Sequence, residues 1–179
     1  LEAIATAWRE MKHIPSAVRW ERVNTTHPNT APQSVIEKKF SIAPRGVALV
    51  IGCSTLPNWS ADPGLFASLV TGNGVIVKPH QNAILPLAIT VAAIRQTLKE
   101  GGFDPNLVSL LVDGATLAVT RDLATKSDIR IVDYTGNADF GMWLESNARQ
   151  AVVFTQKSSV NCVVVESTND YKGMLRNLA

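Results

Sequence analysis

The sequence predicts an α/β fold built on a doubly wound parallel sheet, and three observations carry that expectation. Wholly apolar runs such as Val47-Ala48-Leu49-Val50-Ile51 read as short strands buried on both faces. Helix-period segments such as 85–100 lie between those runs, the alternation that βαβ units require. Cap and breaker residues, among them Pro86, Gly101-Gly102 and Asn137, fall where one kind of segment gives way to the other. The chain has 179 residues, 46% of them hydrophobic, enough to bury a core without disulfides or metals.

The elements follow in order. Leu1, Ile4, Ala7, Trp8 and Met11 recur at helical spacing, so residues 1–14 form an amphipathic helix ended by Pro15. Val23 to Ser34 is rich in Asn, Thr and Pro without periodicity, a loop or linker. Val35 to Ala43 alternates Ile36, Phe40 and Ile42 with Glu37, Lys39 and Ser41, a half-exposed strand. Pro44-Arg45-Gly46 turns the chain into the strand 47–51. A strand at 75–77 ends on Lys78-Pro79, and a helix spans 85–100. A strand at 107–112 and a helix at 115–125 come next. A strand at 129–132 leads through Tyr134-Thr135-Gly136-Asn137 into a helix from Ala138 to about Arg149. Strands at 152–154 and 160–165 complete the set. Asn169-Asp170 caps a helix begun at Tyr171. There is no internal repeat.

Composition excludes several functions. Seventeen Lys and Arg against fifteen Asp and Glu leave a net charge of +2, with the charges scattered, too little for nucleic acid or an anionic membrane surface. No run approaches the roughly 18 apolar residues that span a bilayer, and no secretory leader stands at the start. Cys53 and Cys162 are far apart and lack metal-ligand spacing; they suit a reducing, cytoplasmic compartment, and the simplest role for each is a small buried core residue. The first residue is Leu1 rather than Met, and the last helix has barely begun at Ala179, so the sequence reads as an excerpt of a longer chain.

Sheets of this kind bind ligands at the carboxyl ends of their strands, where strand order reverses. The loops after Ile51, Val77, Val112 and Val132 are therefore the candidate site. No G-x-G-x-x-G is present, and Gly136 to Gly141 lacks the Lys-Ser/Thr of a P-loop. Gly136-Asn137 still joins a strand end to a helix start: Gly136 admits a close backbone approach, Asn137 caps the helix, and the helix dipole favours a phosphate. A plain structural turn with a good N-cap is the competing account. Lys78 ends an apolar strand, where a cation reaches a ribose hydroxyl or phosphate, although an ordinary surface lysine would fit as well. His80 and Gln81 share its loop. His13 and His27 read as solvated bystanders, and Ser158-Ser159 as a turn. No Ser-His-Asp order with a nucleophile elbow and no paired carboxylates stand out.

Three segments together resemble the aldehyde dehydrogenase superfamily: Gly52-Cys53-Ser54-Thr55-Leu56-Pro57, Gly72-Asn73-Gly74-Val75-Ile76-Val77-Lys78-Pro79, and Tyr134-Thr135-Gly136-Asn137 with Gly141. The likeness covers about residues 35–165, and its wording is nearest the phenylacetic acid degradation branch. It implies a Rossmann-like domain with an N-terminal helix and a β-hairpin extension, the strand 35–43 belonging to a hairpin through which such enzymes form homo-oligomers. It divides the chain into a helix and linker (1–34), an NAD(P)-binding domain (35–168) and the start of a helix (169–179), with the catalytic domain absent.

The resemblance also implies roles. Lys78 binds the adenosine ribose of NAD or the neighbouring phosphate of NADP, helped by His80 and Gln81, and Gly136 and Asn137 meet the pyrophosphate. Many NAD-preferring members carry Glu three residues after this lysine. The neutral Gln81 stands there instead and would not repel a 2′-phosphate, which favours NADP. Thr55 takes the place of the Asn that stabilises the oxyanion, and Gln156 that of the general-base Glu. A hydroxyl still donates one hydrogen bond, but an amide takes no proton at neutral pH. Ser158-Ser159 replace the Gly-Gly that follows. The nucleophilic Cys of the family lies downstream and matches neither Cys53 nor Cys162, so this stretch alone is expected to be inactive. The implied parent oxidises a small-molecule aldehyde of phenylacetate catabolism with NAD(P). Its rivals are a binding or assembly protein that keeps the fold without catalysis, and a coenzyme-A-acylating dehydrogenase that needs no general base.

Overall fold

The computed structural model describes residues 2–12, 17–22, 34–114, 119–158 and 164–178. Helix α1 (Glu2–Lys12) is followed by an antiparallel pair, β1 (Ala17–Arg22) and β2 (Ser34–Lys39). Five strands then form one parallel sheet: β3 (Val47–Ile51), β4 (Gly74–Lys78), β5 (Val108–Leu110), β6 (Ile129–Gly136) and β7 (Val152–Lys157). Their spatial order is β5-β4-β3-β6-β7. The chain thus steps outward from β3 in one direction, returns, and steps outward in the other. The reversal falls between β3 and β6, the place where doubly wound sheets open a ligand crevice.

Four helices cover the sheet: α2 (Pro57–Val70), α3 (Ile84–Glu100), α4 (Thr120–Ala124) and α5 (Ala138–Asn147). Because side chains alternate along a strand, central β3 feeds two cores at once. Ala48 and Val50 pack with Val75, Val77 and Val108 beneath Ala61 and Leu65 of α2 and Leu87 and Val91 of α3. Leu49 and Ile51 pack with Ile129, Val132 and Tyr134 beneath Ala124 of α4, Leu144 of α5 and Ala148 just past its end. Each fully buried Leu or Val contributes roughly 1.5–3 kcal/mol by leaving water, which is why the strands read as solid apolar runs. Among the described residues, cover is incomplete at the β7 edge. Val153 packs toward α5, but Val152 and Phe154 on the opposite face are exposed, so the expected helix layer on both faces does not reach that edge.

Several boundaries depart from the sequence expectation. Helix α2 has no counterpart in it, because Pro57 and Pro63-Gly64 look like turn signals. Pro57 occupies the first turn, where no N–H is needed, and Pro63 keeps to an exposed side while Ala61, Leu65 and Ser68 supply the buried stripe. Strand β2 ends at Lys39, not Ala43: Lys39 pairs with Ala17, the first residue of β1. Strand β5 is confined to Val108–Leu110 because Pro105–Leu107 is a 3-10 turn, capped by Asp104, whose Oδ1 accepts from the Asn106 N–H at 2.8 Å. Strand β6 runs on to Gly136, so Tyr134-Thr135-Gly136 is strand rather than loop. Its polar tail is held by β7, Tyr134 pairing with Thr155 and Gly136 with Lys157. Strand β7 likewise continues past Phe154, to Lys157.

Of the helix expected at 115–125, Thr120–Ala124 is observed, and residues 115–118 fall outside the described residues. The strand expected at 160–165 lies largely outside them too; Val164 and Val165 belong to no strand. Helix α6 (Tyr171–Leu178) is capped as expected, the Asp170 carboxylate accepting from the Gly173 N–H at 2.9 Å. His13 and His27 also fall outside the described residues. No helix among the described residues is long and apolar enough to cross a membrane.

Candidate functional site

Parallel pairing brings three strand ends level. Ile51 at the end of β3 pairs with Lys78 on one side and Tyr134 on the other. The Gly52 N–H donates to the Lys78 carbonyl at 3.0 Å, carrying the pairing one step past the sheet. On the far side of β4, the Leu111 N–H donates to the Val77 carbonyl at 2.9 Å, which leads the chain after β5 over the end of β4. These ends open on a cavity of about 410 Å³ at the strand-order reversal, within the range of small-molecule and cofactor sites.

Lys78, His80, Gln81, Gly136 and Asn137, drawn from two distant stretches of sequence, all line this one cavity. Lys78 is not a surface lysine. Its ammonium lies 2.7 Å from Asp113 Oδ1, and the two side chains are only 13% and 7% exposed. The Thr120 hydroxyl donates to Asp113 Oδ2 at 2.9 Å. Burial raises the pKa of Asp113, but the hydrogen bonds from Lys78 and Thr120 and the lysine charge outweigh it, so the carboxyl sits below its ordinary range. His80 accepts the Asn82 N–H on Nδ1 at 3.2 Å while its carbonyl takes the Ala83 N–H, a turn that shapes the loop before α3.

At the other wall, Asn137 caps α5 by accepting the Phe140 N–H at 2.8 Å. The Tyr134 hydroxyl donates to the Asn137 carbonyl at 3.1 Å. A side chain at Gly136 would run into that tyrosine ring, so only glycine leaves both the cap and the crevice intact. The positive end of the α5 dipole therefore borders the cavity beside a bare stretch of backbone, an arrangement that suits a phosphate.

Residues to which the sequence reading gave no binding role also line it, among them Asp113, Thr120, Arg121, Tyr134 and Cys53. The Arg121 guanidinium lies 4.5 Å from the Trp143 ring centre and 5.6 Å from that of Phe140, which holds a second cation at the crevice. Cys53 is not a buried core residue. Half-buried, two residues past the end of β3, it lines the crevice rather than the core. Burial raises its pKa, but hydrogen bonds with Ser60 and Thr55 outweigh that and bring the thiol down to about 7. Cys162 falls outside the described residues.

Thr55 and Gln156 stand apart from the lining. Thr55 is exposed just before α2, its hydroxyl 3.5 Å from the Cys53 sulfur. Gln156 lies on β7, where its Oε1 accepts from the Thr135 hydroxyl at 3.4 Å. The Ser158 N–H donates to the Gly136 carbonyl at 2.9 Å, closing the end of the β6–β7 ladder; Ser159 falls outside the described residues. Among the described residues no cluster of His, Cys, Asp and Glu is set to hold a metal.

The model of the aldehyde dehydrogenase family matches residues 2–179. A crystal structure of an NAD-dependent aldehyde dehydrogenase from Burkholderia multivorans is 48% identical over 89% of this chain, with a TM-score of 0.82. This chain spans only 28% of that protein's length. A glyceraldehyde-3-phosphate dehydrogenase from Methanocaldococcus jannaschii, complexed with NADP, shares the fold at 16% identity and a TM-score of 0.59, over 89% of this chain and 33% of its own. No curated protein matches the chain. With the family model matching residues 2–179 and a 48% identical relative over 89% of its length, this chain belongs to the aldehyde dehydrogenase family.

Proposed function

We propose that this chain forms the nucleotide-cofactor-binding part of an NAD(P)-dependent aldehyde dehydrogenase, and that residues 35–168 make up that part. The observation that carries the proposal is the crevice at the β3–β6 reversal, where Lys78, Gly136 and Asn137 meet. Its residues fit a dinucleotide chemically: a capped helix N-terminus and a bare glycine for the pyrophosphate, and a cation at a strand end for the adenosine ribose. His80 and Gln81 border the ribose end, and Arg121 adds positive charge for an anionic ligand. When bound, the nicotinamide cofactor supplies a hydride acceptor.

The whole protein, we infer, oxidises a small-molecule aldehyde. The likeness of Gly52–Pro57, Val77–His80 and Gly102–Val108 to the phenylacetic acid degradation branch supports an aldehyde from aromatic catabolism. In that reading Thr55 serves at the oxyanion position with one hydroxyl donor. Gln156 occupies the general-base position without being able to take a proton. The antiparallel pair β1–β2, whose Val35 and Ile36 are exposed, supports a homo-oligomer formed through the hairpin.

Calorimetric titration of the chain with NAD and NADP, beside Lys78→Ala, tests the cofactor reading. Saturable binding that weakens by about tenfold or more in the variant is expected. A folded chain that binds neither nucleotide, or a variant that binds as well as its parent, would sink it.

A further inference from the structure

We propose that Asp113 selects the cofactor: its carboxylate beside Lys78 makes the crevice favour the bare adenosine ribose of NAD over the 2′-phosphorylated ribose of NADP. The inference rests on the cofactor reading of the crevice and deepens it. It starts from an apparent gap. The loop after β4 offers only the neutral Gln81 three residues beyond Lys78, so nothing on that loop opposes a 2′-phosphate.

The fold fills the gap from the neighbouring strand. Val77 pairs with Leu110, and the Leu111 N–H donates to the Val77 carbonyl at 2.9 Å, so the chain leaving β5 crosses directly above the end of β4. That crossing sets Asp113 Oδ1 2.7 Å from Lys78 Nζ, with both side chains largely withdrawn from water yet lining the cavity. Thr120, itself 8% exposed, donates to the other carboxylate oxygen at 2.9 Å and fixes the plane of the group. A carboxylate has about four acceptor positions. Lys78, Thr120 and a backbone hydrogen bond from Val119 fill three of them, and one remains to receive a donor.

Ribose hydroxyls are donors and a 2′-phosphate is not. At neutral pH that phosphate carries between one and two negative charges and has little proton left to share. Two effects then act with the same sign. The phosphate meets a fixed like charge that is itself largely withdrawn from water and repels it. The lysine that would neutralise it is already paired. Asp113 keeps its charge at neutral pH because its hydrogen bonds and the lysine hold its pKa low. An acidic group gripping the ribose diol is the general device by which dinucleotide sites choose NAD; here it comes from the end of β5.

The test is calorimetric titration of the 179-residue chain with four probes: AMP, adenosine 2′,5′-bisphosphate, NAD and NADP. The first two read the adenosine end alone. The parent chain should bind AMP and NAD about tenfold or more tightly than their 2′-phosphorylated counterparts, a gap that narrows as salt screens the charge. Asp113→Asn, which keeps the shape and removes the charge, should close or reverse that gap, and Gln81→Glu should widen it. A parent chain that prefers the 2′-phosphorylated probes overturns the proposal, as does a folded Asp113→Asn variant with an unchanged ratio. If that variant does not fold, the salt series on the parent decides: a gap indifferent to salt places discrimination in shape and refutes the role of the carboxylate. Failure of all four probes to bind the folded parent overturns the cofactor reading itself, and this inference with it.

Discussion

Replacing Asp133 with asparagine should stabilise the fold at neutral and alkaline pH while leaving acid stability unchanged. Asp133 lies on β6 with its carboxyl packed against the backbone of α2 at Gly64, where even one added methyl would overlap it. No hydrogen-bond donor reaches it among the described residues, and burial alone pushes its pKa from 3.8 up to about 6. The sign follows from linkage. Below pH 3.8 the group is protonated both folded and unfolded, so it makes no difference. As pH rises from there toward 6, the unfolded chain gives up a proton that the folded chain retains, and stability falls. Above about 6 the loss is complete. A shift of about two units at 1.36 kcal/mol per unit is a penalty of about 3 kcal/mol, a large part of the 5–15 kcal/mol that holds a typical domain together. Asparagine matches the shape and stays neutral. Urea unfolding followed by circular dichroism at pH 4, 5, 6, 7 and 8 should show the variant gaining about 2–3 kcal/mol at pH 8 and almost nothing at pH 4. Asp62 on α2, whose pKa burial also raises, is common to both chains and cancels in the difference. A gain that is the same at every pH, or a loss at pH 8, would refute the reasoning, because neither can come from an ionisation.

Two further predictions concern the crevice. Gly136→Val should lower stability by about 1–3 kcal/mol through overpacking against Tyr134, and should weaken NAD binding by more than tenfold in calorimetry, since it disturbs the end of β6 where the cap of α5 begins. Binding unchanged in a folded Gly136→Val chain would move the pyrophosphate elsewhere. Alkylation of Cys53 by iodoacetamide, read on its own peptide by mass spectrometry, should accelerate as pH rises through about 7, where hydrogen bonds with Ser60 and Thr55 outweigh the effect of burial and favour the thiolate. Saturating NAD should slow it, because the thiol lines the same cavity; equal rates with and without nucleotide would separate Cys53 from the bound ligand.

How much of this was legible beforehand varies with the range of the interactions. Strand β3 and helix α3 were visible almost to the residue, because an apolar run with a turn before it and a long stripe closed by Gly101-Gly102 are local signals. The Asn137 cap was visible for the same reason. Helix α2 was not, because Pro63-Gly64 looks like a turn until Ala61 and Leu65 find a sheet to bury against. The polar end of β6 was missed because its pairing partner, β7, lies some twenty residues further along. Cys53 looked like a core residue because a small apolar side chain after a buried strand usually is one.

What the sequence determined by itself is therefore the set of parts: the α/β class, the strand ends that carry Lys78 and Gly136-Asn137, and the family likeness in those same segments. Only the tertiary structure decided how the ends meet. The order β5-β4-β3-β6-β7 puts Lys78 and Asn137 around one cavity and swings Asp113 onto Lys78, and nothing near position 113 announces that partner. The physical reason is the range of the forces involved. Apolar period, caps and turns act within a few residues and leave their mark in the order of the amino acids. An ion pair between residues thirty-five positions apart exists only after the strands have chosen their neighbours, and that choice is made by burial of the whole sheet.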